Sequence, residues 1–369
     1  MSNILLEYIS LVNYRNYEKL SLTLSHHLNV ITGLNGAGKT TILDAIYHIC
    51  NGKSYFSHLD RFIYKDNLNF YRIEAKIQDA DQIFSIKIKS ESGKKKVIAL
   101  DDKKIESRAD FIGRFPAFMI APKDIQILME SSVERRKLMD RTISQSDRGY
   151  LIQLLKYNKL LKQRNAFLKA NQGKIRADKV LLQSLDQAMV EPAQLINNKR
   201  KSYVDIPQPM LNDYYKSICG GSEEISVEYT SEVNLSSFLD IQKKNSTKDI
   251  FTGKTNGGIH RDDLDIKLEG RPVKKYGSQG QLKSSIIALK IAQIQWIIKM
   301  TGKKPILLLD DIFDKLDIKR VKQLLSICNR ELTSQVFITD TDKDRVGKLL
   351  SEIGKDYKEF CIQSGTYVE

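Results

Sequence analysis

Four cysteines are all that this 369-residue chain carries, at Cys50, Cys219, Cys328 and Cys361, and none forms a C-x-x-C pair. So scattered a set suits neither a disulfide framework nor a zinc site, and reads as reduced thiols. No window approaches ~18 uninterrupted apolar residues, which excludes a membrane-spanning helix. Glu7 breaks the first apolar stretch, and a signal-peptide layout is missing. The expectation is a cytoplasmic protein without a membrane partner. Proline is scarce, at 7 residues, and internal repeats and low-complexity tracts are absent, so a fibrous, solenoid or disordered chain is excluded.

Positive charge, in contrast, is abundant. Lys plus Arg number 59 against 45 Asp plus Glu, a net charge of +14. A balance this basic favours polyanionic partners such as nucleic acid. The excess is concentrated: residues 131–201 hold 16 Lys/Arg and 6 Asp/Glu, which supplies +10 of the +14.

The motif with the most chemical content is Gly33-Leu34-Asn35-Gly36-Ala37-Gly38-Lys39-Thr40, directly after the apolar stretch Leu28–Thr32. This is G-x-x-x-x-G-K-[ST] in its required setting, a strand that ends in glycines and opens a helix. Glycines let backbone N–H groups curl around phosphate oxygens, and the start of the helix adds its positive dipole end. Lys39 reaches the outer phosphates, the Thr40 hydroxyl suits Mg²⁺, and Thr41 continues the phosphate-facing turn. ATP with Mg²⁺ is the expected ligand.

The second half of such a site lies far along the chain. Pro305 to Leu309 is an apolar strand that ends in Asp310-Asp311. A strand buried on both faces can expose acids only at its tip, where ligands bind in open α/β sheets. Asp310 fits the Mg²⁺-holding acid, and Asp311 fits the catalytic group that orients water while Lys39 steadies the phosphates. Upstream, Ser278-Gln279-Gly280-Gln281 opens a helix, which suits phosphate reading but equally a plain helix cap.

Around these motifs the first ~120 residues alternate as strands, near 4–12, 19–25, 28–32, 70–77, 82–90, 95–100 and 117–121. Residues 131–201 read as an antiparallel helical arm. Its seam is Leu154, Leu161 and Leu168, with Leu151, Asn158 and Asn165 as companions. On the return segment, Leu182, Leu185, Met189 and Ile196 are interrupted by Pro192, which is expected to kink or end the helix. Residues 205–258 are broken by Pro207, Pro209, Gly220-Gly221 and Gly257-Gly258 and yield little. Beyond them an α/β rhythm returns, with strands near 264–269, 305–310, 335–339 and 358–363 and helices at 280–300, 319–331 and 342–353. That rhythm implies a largely parallel sheet covered by helices. The expected organisation is an ATPase part at 1–122, an inserted, mainly helical arm at 123–255, and the ATPase part resumed at 256–369.

Phosphate loop, serine-glycine signature, then a paired-acid strand is the order found in ATP-binding-cassette ATPases, which this chain resembles. Asp314-Lys315-Leu316-Asp317 resembles their D-loop. More specifically, the chain resembles the RecF family of bacterial DNA-repair ATPases over nearly its whole length. The carriers are Leu11 to Tyr17, Ala121 to Ile125, Glu134 to Asp140, Ile259-His260-Arg261-Asp262-Asp263-Leu264 and the Ser278 motif. Ile259 stands where that family usually has proline, and Lys123 where it usually has an acid. Val336 to Thr341 carries no switch histidine, and Asp311 replaces the glutamate of the wider class.

The resemblance implies an ABC-type head with a mixed sheet and an ATP-dependent homodimer. In it, Ser278-Gln279-Gly280-Gln281 of one subunit closes on the nucleotide of the other. The shorter acid Asp311 and the missing histidine point to slow, switch-like hydrolysis, expected to be stimulated by DNA. The resemblance also implies recombinational repair and replication-fork recovery on double-stranded DNA and single-strand/double-strand junctions, with RecO and RecR as partners in loading RecA at gaps. Arg135, Arg136, Lys137 and Arg141, which open the basic arm, are the expected DNA contacts. A chromosome-organising SMC protein would need heptads over hundreds of residues, where this chain has about three. A transporter ATPase would place its signature much nearer the phosphate loop than the 238 positions that separate Thr40 from Ser278.

Overall fold

A computed structural model describes residues 1–57, 59–173, 179–234, 237–314, 317–328, 332–352 and 356–368. The chain divides into two compact units. The first comprises 1–125, 213–222 and 279–369, and the second comprises 126–212 and 223–278.

The first unit is built on two sheets. In one, the strands run in the order Thr366–Val368, Lys358–Gln363, Leu28–Thr32, Gln335–Asp340, Ile306–Leu309, Ala117–Ile120. The last five are mutually parallel and the Thr366–Val368 edge is antiparallel. Leu28–Thr32, Ile306–Leu309 and Gln335–Asp340 are buried at every residue, as strands covered on both faces must be. The other sheet has seven strands and is mostly antiparallel, centred on the pairing of Ser2–Tyr14 with Phe70–Asp79. The helix Lys39–Asn51 packs into the core with both sheets. It is buried nearly all round and ends at Gly52, whose φ of 68° supplies the left-handed cap. All seven N-terminal strands expected from alternation are present within a few residues of their expected bounds.

The second unit contains the helices Ser132–Ser146, Arg148–Ala170, Lys179–Asp205 and Phe238–Thr252, with a small antiparallel sheet of Ile225–Thr230, Asp263–Leu268 and Arg271–Pro272. Two expectations are corrected here and a third is narrowed. Lys179–Asp205 runs through Pro192, so of the two expected outcomes, a kink or an end, the end is excluded. Pro192 is buried, so packing of the apolar helix face outweighs the single backbone hydrogen bond that proline removes. The seam of Arg148–Ala170 is also different. Leu151 is buried as expected, but Tyr150, Tyr157 and Arg164 are buried beside it in the seam, while Asn158 is exposed. The boundaries shift as well. Residues 256–278 belong to the second unit, because Asp263–Leu268 pairs with Ile225–Thr230 there. Residues 213–222 group with the first unit, where Gln295 Nε2 donates to Tyr214 Oη at 2.6 Å.

Candidate functional site: a phosphate loop facing a paired-acid strand

The phosphate loop joins the buried strand Leu28–Thr32 to the helix Lys39–Asn51. Gly33, Gly36 and Gly38 all have positive φ, at 150°, 81° and 114°. A Cβ at Gly33 would lie 2.2 Å from the Ile362 carbonyl oxygen, and one at Gly38 would lie 2.4 Å from Asn16 Nδ2. Both positions therefore need glycine for space as well as for backbone angle. Asn16 donates to the Ala37 carbonyl at 3.2 Å and Tyr17 to the Gly38 carbonyl at 3.2 Å, so the N-terminal hairpin braces the loop from outside.

Lys39 is buried, and its Nζ donates to the carbonyls of Gly33 at 2.8 Å and Leu34 at 3.1 Å. The ammonium thus spans the loop it must serve. Leu34, Asn35 and Gly36 are exposed at the loop crest, Ala37 is buried, and the Thr41 N–H bonds the Gly38 carbonyl at 3.0 Å.

Ile306–Leu309 delivers Asp310 to the same place. Thr40 Oγ1 donates to Asp310 Oδ1 at 2.8 Å, and Thr339 Oγ1 donates to the same oxygen at 3.0 Å. Burial pushes the Asp310 carboxyl up to about 6; the Thr40 and Thr339 hydroxyls oppose this, and neighbouring Asp311 adds to it. Asp311 itself sits at φ 44°, and its N–H donates to Thr339 Oγ1 at 2.9 Å. Thr339 was not anticipated. It occupies the end of the strand where a switch histidine is missing, and it holds both acids. The donor set of Thr40 hydroxyl and Asp310 carboxylate is all hard oxygen, which fits Mg²⁺ and not a softer metal.

Asp44 was also not anticipated. It lies on the phosphate-loop helix, fully buried, and accepts from Arg15 at 2.9 Å, from Ser54 Oγ, and from the Tyr55 N–H at 2.7 Å. An acid in an apolar helical run was its sequence signal. Lys123, whose loop departs from the family pattern, donates to the Tyr55 carbonyl at 2.9 Å and lies over the Tyr55 and Phe56 rings.

The signature residues form a second group. Gln279, Gly280 and Gln281 open the helix Gln279–Thr301, immediately after Ser278. A Cβ on Gly280 would sit 3.0 Å from Arg320 Nη1. Arg320 in turn pairs with Asp317 at 3.4 Å, and Asp317 caps the helix Ile318–Ile327 by accepting from the Arg320 N–H at 2.9 Å. Arg320 thus lies close to the signature glycine while it pairs with the D-loop aspartate. Of the D-loop, Lys315, Leu316 and the Asp314 side chain lie outside the described residues.

Part of the basic run at the start of the second unit is engaged in internal contacts. Arg135 is 8% exposed. Its Nε and Nη2 grip Asp263 at 2.6 and 2.9 Å, and Nη1 donates to the carbonyls of Ile127, Leu128 and Glu130. Arg136 donates to Ser132 Oγ and to the Asp262 carbonyl, and Lys137 pairs with Glu134 at 2.6 Å. Arg141 is half-buried. His260 is structural: Tyr157 donates to Nδ1 at 2.9 Å and Nε2 donates to the Thr255 carbonyl at 3.2 Å.

Known proteins place this architecture. A family model described as the RecF/RecN/SMC N terminal domain matches residues 5–358. The chain belongs to the RecF family. It is 36% identical over 98% of its length, and 95% of the relative's, to the DNA replication and repair protein RecF of Cytophaga hutchinsonii. To that of Flavobacterium johnsoniae it is 38% identical over 96% of its length and 99% of the relative's. Among solved structures, the recombination mediator protein RecF-ATP matches with a TM-score of 0.87 at 28% identity, covering all of this chain and 99% of that one. A Smc head bound to the C-winged helix domain of ScpA shares the fold, at a TM-score of 0.54 and 15% identity over 98% of this chain and 96% of that one. The family makes this chain an ABC-type ATPase of DNA replication and repair. Among the described residues no helix is long and apolar enough to cross a membrane.

Proposed function

We propose that this protein is a cytoplasmic, ATP-driven DNA clamp, dimeric when ATP is bound, that acts in recombinational repair and replication-fork recovery at single-strand/double-strand junctions. RecO and RecR are its proposed partners in helping to load RecA. The observation that carries the nucleotide half is the meeting of Lys39, Thr40, Asp310 and Asp311 at one end of the parallel sheet. A neighbour solved as RecF-ATP supports the same ligand.

In this reading Gly33 to Thr41 wrap the phosphates, and Lys39 exchanges its carbonyl partners for the β- and γ-phosphate oxygens. Thr40 and Asp310 would hold Mg²⁺, which when bound neutralises the phosphate charge. Asp311 orients the attacking water, and Thr339 holds that acid's backbone in place. Ser278, Gln279, Gly280 and Gln281 of a second subunit close on the γ-phosphate, with Asp317 of the D-loop alongside. Charge-assisted hydrogen bonds across that seam exist only while the γ-phosphate is present, so hydrolysis removes the contact that favours the closed state. The short acid and the threonine in the histidine's place make hydrolysis slow, which suits a timer.

DNA is held through its phosphates, a mode that does not depend on base sequence and weakens with salt. Single-turnover hydrolysis with and without DNA tests the switch. A chemical step well below ~10 s⁻¹, the median enzyme rate, is expected, with DNA accelerating it. A rate above that value, indifferent to DNA, overturns it.

A further inference from the structure

The second unit has one end where two helices terminate together. Arg148–Ala170 stops beside the C-terminus of Phe238–Thr252. The Gly173 N–H donates to the Ile250 carbonyl, and Gln172 Nε2 donates to the Phe251 carbonyl at 3.1 Å. Gly253, at φ 67°, lets the chain turn where a Cβ would lie 3.0 Å from Gln172 Oε1 and 3.5 Å from Lys169 Cα. Beneath this turn the fully buried Arg164 clamps Asp249 at 2.7 Å and Thr255 at 2.9 Å, and Asp249 also accepts from the Asn256 backbone. The end is therefore anchored by a buried ion pair and by backbone hydrogen bonds.

On this anchored end Phe251 is 76% exposed. Its neighbours are cations. Lys248 lies one helical turn before it, Lys254 follows the Gly253 cap, and Lys169 faces that cap. In stretches 162–173 and 243–256 there are six exposed lysines, at 162, 169, 243, 244, 248 and 254. The one acid there, Asp249, is buried against Arg164. An exposed aromatic ring with exposed lysines close to it along the chain is the chemistry that binds unpaired nucleotides: bases stack on the ring while lysines take the phosphates.

We propose that Phe251 is a stacking site for an unpaired DNA base, with Lys169, Lys248 and Lys254 receiving the flanking phosphates. The inference rests on the DNA-binding reading above and deepens it, by assigning a place where single-stranded character is sensed. Bases inside a continuous duplex are stacked on both faces and offer none to the ring, so this site discriminates a single-stranded tail from continuous duplex.

Phe251→Trp tests it in the full chain. The one native tryptophan, Trp296, is only 2% exposed, so new emission reports the introduced ring. Oligo(dT) is expected to quench that emission, and Phe251→Ala is expected to weaken oligo(dT) binding about tenfold. Blunt duplex affinity should stay within about twofold, as a phosphate-only mode requires. Unquenched emission at saturating oligo(dT), or a Phe251→Ala variant that binds it like the wild type, overturns the stacking site alone while duplex binding persists. Wild type that binds neither probe overturns the DNA-binding reading itself.

Discussion

Thr40 Oγ1 donates to Asp310 Oδ1 at 2.8 Å, so two residues 270 positions apart close the metal corner of the site. The contact only partly offsets what burial does to this acid. Asp310 is buried, its carboxyl is pushed up to about 6, and Asp311 lies beside it. A carboxylate held above its ordinary range destabilises the folded chain at neutral pH, because ionisation is easier once the chain unfolds.

Asp310→Asn is therefore expected to raise stability of the nucleotide-free protein at pH 7.5, by roughly 1–3 kcal/mol. Its amide oxygen can still accept from Thr40 and Thr339. Mg²⁺-dependent hydrolysis should fall to background in the same variant. Urea unfolding and a phosphate-release assay check the two halves. Lower stability would show that the carboxylate is not penalised as described.

Arg135→Ala is expected to act on stability before it acts on DNA. It removes a bidentate partner of Asp263 and takes a donor from the carbonyls of Ile127, Leu128 and Glu130, of which, among the described residues, only Glu130 keeps another, Lys274 Nζ at 3.4 Å. A loss on the order of 2–4 kcal/mol follows, discounted because the Asp263 side chain is one-third exposed. Urea unfolding measures it. A stable Arg135→Ala protein with a flattened salt dependence of DNA binding would return this residue to the DNA surface.

A pH dependence resides at His260. Burial lowers its pKa to about 4, and the cations Arg261, Arg136 and Arg164 act in the same direction, against the Thr255 carbonyl. Above pH ~6.5 the ring is neutral in the folded and unfolded chain alike, and it contributes no pH dependence. As pH falls from there towards 4 only the unfolded chain takes up the proton, so folded stability is lost across that window. The loss approaches roughly 3 kcal/mol at its lower end. His260→Gln should flatten the part of the profile between pH 6.5 and 4, as read by urea midpoints. An unchanged profile would contradict a neutral, buried His260.

What the sequence disclosed follows from distance along the chain. Gly33 to Thr40 is contiguous, and each residue type is demanded by local geometry, so the loop was legible. Asp310 was legible because an apolar strand can end in acids only at its tip. Thr339 was not, because a threonine at a strand end has no signature until its two acid partners, 28 and 29 residues away, are in place. Arg164 looked like one more surface charge. Its partners lie 22, 85 and 91 positions further on, and only the folded chain brings them together. The same holds for Arg135, whose charge counted towards a basic surface but is neutralised by Asp263, 128 residues away. Backbone propensity lets Pro192 kink or end a helix, and only the buried packing of the folded chain excludes the end.

The account turns on ATP joining two copies of the chain, and sedimentation velocity of wild type and Lys39→Met measures this most directly. Wild type should shift from monomer to dimer when ATP and Mg²⁺ are added, more so with duplex DNA, and Lys39→Met should remain monomeric throughout. A wild-type protein that stays monomeric at saturating ATP, with and without DNA, would contradict the account.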